Sequence, residues 1–136
     1  FLCVLNGAIM FMAGIMKRVN FPANLVSIKA SSYIGVSSTG DVRLGGLTSS
    51  VKGKKVIVFE DIVDTGNTVM ALKKYLLDEG AADVRICTML LKPEVYKQPQ
   101  KIDYVGAEIP NEFIVGYGLD YDELGRNLNE IYILER

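Results

Sequence analysis

Histidine is absent from all 136 residues, and cysteine occurs only twice. Without histidine, serine–histidine and cysteine–histidine nucleophilic catalysis and most zinc sites are excluded. Cys3 and Cys87 both sit in apolar, strand-like runs. They read as buried free thiols in a reducing, cytoplasmic setting, although two cysteines alone leave a disulfide open. An excess of charge of either sign is also lacking: 15 basic residues face 16 acidic ones, for a net charge of −1. That balance leaves no electrostatic footprint for nucleic acid or an anionic membrane, so any phosphate must be bound locally. The greasiest run, residues 8–16, is far too short to cross a bilayer. No Gly-x-x-x-x-Gly-Lys-Ser/Thr occurs, which sets aside a P-loop nucleotide hydrolase. Repeats, linkers and low-complexity tracts are missing too.

What is present is a globular composition, 49% apolar and 23% charged, long enough to bury a core as one domain over residues 1–136. The chain opens on Phe1-Leu2-Cys3-Val4-Leu5, already inside a strand and without an initiator methionine, so a missing N-terminal part is expected. Strands are expected at residues 2–5, 25–30, 42–47, 56–59, 84–91, 104–106, 113–115 and 131–134. Helices are expected at 8–19 and 69–79, the second with Met70, Leu72, Leu76 and Leu77 mostly on one side and Gly80 as its C′ residue. A small, polar, glycine-bearing stretch at about residues 31–44 reads as a flexible loop within a β-hairpin. Strands alternating with helices predict an α/β fold, a doubly wound, mostly parallel sheet with flanking helices.

Residues 56–68, Val-Ile-Val-Phe-Glu-Asp-Ile-Val-Asp-Thr-Gly-Asn-Thr, are the most informative stretch. A continuous apolar run is how a buried parallel strand reads, and open α/β sheets bind ligands at the carboxyl ends of such strands. The run breaks into Glu60 and Asp61; Asp64 follows, and then a Thr65-Gly66-Asn67-Thr68 turn opens a helical pattern. Unpaired backbone N–H groups at a helix start, two threonine hydroxyls and a permissive glycine make an anion site suited to phosphate. The carboxylates upstream are hydrogen-bond acceptors or hard oxygen ligands for magnesium. An ordinary strand–turn–helix with an N-cap at Asp64 or Thr65 would explain one capping residue but not two further carboxylates.

This segment resembles the signature loop of the type I phosphoribosyltransferases, which bind 5-phosphoribosyl 1-pyrophosphate. The resemblance covers nearly the whole chain and points to the 6-oxopurine branch, the hypoxanthine-guanine phosphoribosyltransferases. It implies that Glu60 and Asp61 face the ribose hydroxyls, that Thr65, Gly66, Asn67 and Thr68 hold the 5-phosphate, and that Asp64 takes or holds a base-ring proton. Leu5-Asn6-Gly7 is similar to the family's pyrophosphate turn, often built on a non-proline cis peptide; many relatives carry lysine where Asn6 stands. Ser31-Ser32-Tyr33 and the loop to Gly40 resemble the family's catalytic lid, with Ser32 and Tyr33 closing over pyrophosphate. Lys92 would donate to the purine 6-oxo group, Phe113 would stack on the ring, and Ile114 would present backbone groups to the base edge. Taken alone, Phe113 is more simply a core residue. Gly116-Tyr117-Gly118-Leu119-Asp120-Tyr121, with Arg126 beyond, matches the family's Gly-Tyr-x-Leu-Asp-Tyr segment. By that likeness Asp120, with Glu60 and Asp61, meets magnesium, and Arg126 contacts pyrophosphate. The resemblance further implies a homodimer or homotetramer acting on a 6-oxopurine base and 5-phosphoribosyl 1-pyrophosphate, with no nucleic-acid or membrane partner. A non-enzymatic regulator that keeps the loop as a sensor is the rival reading; it would need a basic surface, which a net charge of −1 argues against.

Overall fold

The structure, a computed structural model, describes residues 1–32 and 42–135. The candidate lid residue Tyr33 and most of the 31–44 loop lie outside the described residues. Apolar β-branched runs form the strands β1 (Leu2–Leu5), β2 (Val26–Ser32), β4 (Lys55–Val63) and β5 (Asp83–Leu91). With β3 (Val42–Leu44) and β6 (Tyr104–Glu108) they build a six-stranded sheet of order β3-β2-β1-β4-β5-β6. Every neighbouring pair is parallel except β2–β3. This is the mostly parallel sheet that the alternation of elements predicts.

Helix α1 (Ile9–Met16) covers one face, packing Ala8 and Met12 on Cys3 and Phe59. Helix α2 (Asn67–Asp78) covers the other, with Val69, Leu72 and Leu76 buried against Leu2, Val4, Val56, Val58 and Ile86. The i, i+3, i+7 spacing of that stripe is the helical period. Leu77, expected on the same side, lies 46% exposed because it falls about 100° around the helix from Leu76. Gly80, at φ 93°, ends α2 with the Gly80 N–H on the Leu77 carbonyl and the Ala81 N–H on that of Leu76.

Two expectations are corrected. Strand β4 does not stop at residue 59: it runs through Glu60 and Asp61 to Val63, paired with β5 at Glu60↔Thr88, Ile62↔Leu90 and Val63↔Leu91. The ladder continues because these carboxylates open onto a cavity rather than into the core. Strands β7 (Ile114–Val115) and β8 (Tyr132–Ile133) form a separate antiparallel ribbon, not a further part of the main sheet. Cys3 and Cys87 are free thiols, as the sequence reads them, with Cys3 buried and Cys87 half-buried. Both are in register with Phe59, one strand on either side of it, so two strand spacings of about 4.8 Å hold them too far apart to bridge.

Candidate active site

The crossovers run from β1 to β2 on one side of the sheet and from β4 to β5 on the other, which leaves a switch point between β1 and β4. Open α/β sheets bind ligands beyond the carboxyl ends of the strands at such a point. Here the turn after β1 and the loop after β4 line one cavity of about 560 Å³. It gathers Leu5, Asn6, Gly7, Glu60, Asp61, Asp64, Thr65, Gly66, Asn67, Thr68, Asp120 and Arg126, twelve residues that the motifs singled out.

The floor is charge-starved. Glu60 is 7% exposed, and burial pushes its carboxyl well above the usual range, with the neighbouring Asp61 charge adding to the shift. Asp61 is also pushed up by burial, opposed by the Ile62 N–H that donates to its Oδ1 at 2.8 Å and by the charge of Arg126. Across the cavity, Arg126 Nη2 pairs with Asp120 Oδ1 at 3.2 Å, and the Glu123 N–H donates to Asp120 Oδ2 at 2.9 Å. A cation or a hydroxyl-rich ligand entering here meets acceptors that gain from it.

The loop over residues 64–68 enters α2 through Gly66, at φ 86°, which caps nothing with a side chain, while Thr65 Oγ1 accepts the Asn67 N–H at 3.4 Å. The N-cap is therefore glycine, not Asp64 or Thr65. Uncapped N–H groups at a helix start favour an anion. The Leu5–Asn6 peptide is cis, as the family likeness implies. A Cβ on Gly7 would collide with the Asp61 carboxylate, and one on Gly118 would collide with the Gly7 carbonyl. These two glycines let the β1 turn, the acidic ledge and the 116–126 loop close on one another. That loop holds Tyr117, Asp122 and Glu123 at φ 49°, 54° and 67°. Non-glycine residues in the left-handed region persist mainly where function requires them.

Lys92 and Phe113 line a second cavity of about 710 Å³ with Asn111, Glu112, Ile133, Leu134 and Glu135. The pairing of β7 with β8 and the Leu134 N–H on the Phe113 carbonyl, at 2.8 Å, build its wall. Phe113 is half-buried and edge-on to Tyr121, with centroids 5.8 Å apart, whereas Ile114 is core. The two cavities meet at an ion pair, Lys92 Nζ to Asp64 Oδ1 at 3.4 Å. Ser32 ends β2 opposite Val42. Sequence reasoning missed Leu134, Glu135 and the Tyr96–Gln98 segment; no motif marks them, since only the ribbon and the loop packing bring them to the site.

A switch-point crevice with a glycine-started helix, an acidic ledge and a lysine-aromatic pocket is the ligand site of an open α/β enzyme fold. Residues 1–122 match the phosphoribosyl transferase domain family. The chain is 41% identical over 130 residues to hypoxanthine phosphoribosyltransferase of Haemophilus influenzae, covering 94% of this chain and 73% of that protein. It is 41% identical over 134 residues to hypoxanthine-guanine phosphoribosyltransferase of Staphylococcus epidermidis, covering 97% and 75%. Among solved structures, a hypoxanthine phosphoribosyltransferase from Staphylococcus aureus superposes with a TM-score of 0.91 at 40% identity, covering 98% of this chain and 74% of that one. The chain belongs to the phosphoribosyltransferase family.

Proposed function

We propose that the protein is a purine-salvage transferase that moves the 5-phosphoribosyl group from 5-phosphoribosyl 1-pyrophosphate to hypoxanthine or guanine. The products are IMP or GMP and pyrophosphate. The observation that carries this reading is the Lys92–Asp64 pair, which joins a phosphate-and-carboxylate cavity to an aromatic one. In the first, Thr65, Gly66, Asn67 and Thr68 hold the 5-phosphate, Glu60 and Asp61 accept from the ribose hydroxyls, and Leu5, Asn6, Gly7 and Arg126 receive the pyrophosphate. In the second, Phe113 stacks on the purine, Lys92 donates to its 6-oxo group and Ile114 offers backbone groups to its edge. The bond from the ribose anomeric carbon to the pyrophosphate oxygen breaks, and the bond to a purine ring nitrogen forms. Asp64 takes the proton that this nitrogen gives up. Ser32 and Tyr33 exclude water from the oxocarbenium-like ribose.

Magnesium fits the donor set. Among the described residues no three acidic, histidine or cysteine side chains form a ready cage. Magnesium characteristically takes one or two carboxylates and fills its octahedron with substrate oxygens and water. Asp120 and Asp61, with Glu60, are the residues that would hold it, and a cation beside them would offset the burial that raises the Glu60 and Asp61 carboxyls. When bound, it neutralises charge developing on the leaving pyrophosphate.

Among the described residues no helix is long and apolar enough to cross a membrane. We place the enzyme in the cytoplasm, as a homodimer or homotetramer acting on small molecules. The test is purine-dependent release of pyrophosphate from the ribosyl donor, run with hypoxanthine, guanine and xanthine. No release with any of them, with magnesium present, would overturn the reading.

A further inference from the structure

The segment after β5 lies against the outer side of the phosphate loop. The Gln98 Nε2 amide donates to the Thr65 carbonyl at 3.2 Å and to Asn67 Oδ1 at 2.9 Å. The Lys97 N–H donates to the same Thr65 carbonyl at 3.2 Å. A Cβ on Gly66 would stand 2.5 Å from Tyr96 Cε2 and 2.6 Å from Gln98 Cγ, so these side chains press against the glycine that starts α2. Tyr96 is itself fixed: it packs against the α2-side core, and its hydroxyl donates to the Gln100 carbonyl at 2.5 Å.

Neither Tyr96 nor Gln98 lines the cavity; Thr65 to Thr68 do. The brace and the ligand therefore take opposite sides of the loop. In a trans peptide the N–H points opposite to the C=O. Two donors holding the Thr65 carbonyl outward thus turn the Gly66 N–H away from the brace, to the cavity side. The same segment begins at Lys92, whose N–H donates to the Val63 carbonyl at 3.0 Å and whose carbonyl accepts the Tyr96 N–H at 3.2 Å. One short stretch of chain therefore carries the base-facing lysine and grips the phosphate loop.

Resting on the transferase reading, we propose that Gln98, seated with Tyr96 on Gly66, is a positioning residue that pre-orients the phosphate-loop amides for the donor's 5-phosphate. Gln98→Met keeps the packing on Gly66 and removes both donated hydrogen bonds; Gln98→Glu keeps the shape and places an acceptor where a donor is needed.

The experiment is calorimetric binding of 5-phosphoribosyl 1-pyrophosphate in magnesium, steady-state kinetics for both substrates, and amide exchange of the ligand-free protein. The expected result is a donor constant about five- to tenfold weaker in Gln98→Met, and weaker again in Gln98→Glu. The base constant and kcat should stay within about twofold, and exchange at residues 66–68 should be faster. Donor affinity equal to that of the parent would overturn the proposal. So would equal damage to donor, base and kcat, which marks a residue that only holds the fold. A parent protein that fails to bind the donor sinks the transferase reading instead. Exchange at residues 66–68 then decides the brace by itself, and unchanged rates would end it.

Discussion

Lys92 Nζ lies 3.4 Å from Asp64 Oδ1, and the two side chains differ sharply in environment: 10% of the lysine is exposed against 54% of the aspartate. A buried ammonium is costly unless paired, so Asp64 offsets the desolvation of Lys92 from the wetter side. The backbone reinforces the contact one residue upstream, where the Lys92 N–H donates to the Val63 carbonyl at 3.0 Å. The pair holds the proposed base donor and proton acceptor just past the carboxyl ends of two adjacent strands. A purine presenting one edge to the pair would meet one group at its oxo oxygen and the other at the adjacent ring nitrogen.

Asp64→Asn should lower kcat by about 10²–10⁴-fold, the usual loss for a proton acceptor that acts in the transition state. Donor affinity should change by less than about threefold. Single-turnover kinetics beside calorimetry separate the two, and near-parental turnover would remove Asp64 from the mechanism.

Lys92→Ala should raise the apparent constant for 6-oxopurines by about tenfold or more, the loss of a charge-assisted hydrogen bond. The ribosyl donor's constant should stay nearly unchanged. Equal damage to both substrates would make Lys92 structural.

Gly7→Ala should cost at least about tenfold in kcat/KM for the donor, because its Cβ collides with the Asp61 carboxylate and the turn or the ledge must shift. Gly46→Ala is the matched control, since a Cβ there meets nothing within 4 Å. If the two variants behave alike, close approach of the β1 turn to Asp61 does not matter for donor use.

Glu60 should make the ligand-free protein less stable as pH rises. Its carboxyl is raised above the ordinary 4.5 in the folded state, chiefly by burial and then by Asp61. The folded state therefore holds a proton that the unfolded state has already lost. Its stabilising share is present below about 4.5 and disappears as pH climbs through the raised value. Glu60→Gln should flatten that fall, read as Tm against pH above about 4.5. A parallel shift at every pH would show that Glu60 does not titrate in this window.

Cys3 and Cys87 should resist thiol reagents while the protein is folded. Burial, with Glu60 and Asp61 nearby, pushes the Cys3 thiol up to about 11, and burial raises Cys87 as well. At neutral pH the Cys3 thiolate fraction is then about 10⁻⁴. Labelling by a disulfide reagent should follow unfolding; fast labelling of the native protein would contradict it.

The sequence by itself determined the architecture and the local parts of the site. Periodicity marked the strands and both helices because burial of apolar side chains follows the backbone repeat. The Glu60–Thr68 segment was legible because its chemistry is contained in consecutive residues: strand, acidic pair, anion-binding turn and helix start. Residues 116–126 were legible for the same reason. Tertiary structure alone decided what comes from separate stretches. It carried β4 through Glu60 and Asp61, since pairing with β5 outweighs the apolar pattern where a cavity waits. It split β7 and β8 from the main sheet to wall the second cavity. It also set Gln98 on Thr65 and Lys92 beside Asp64, contacts across 33 and 28 residues that no local pattern encodes. Such pairs exist only once the sheet has fixed which loops meet, because their energy comes from proximity that the chain acquires by folding.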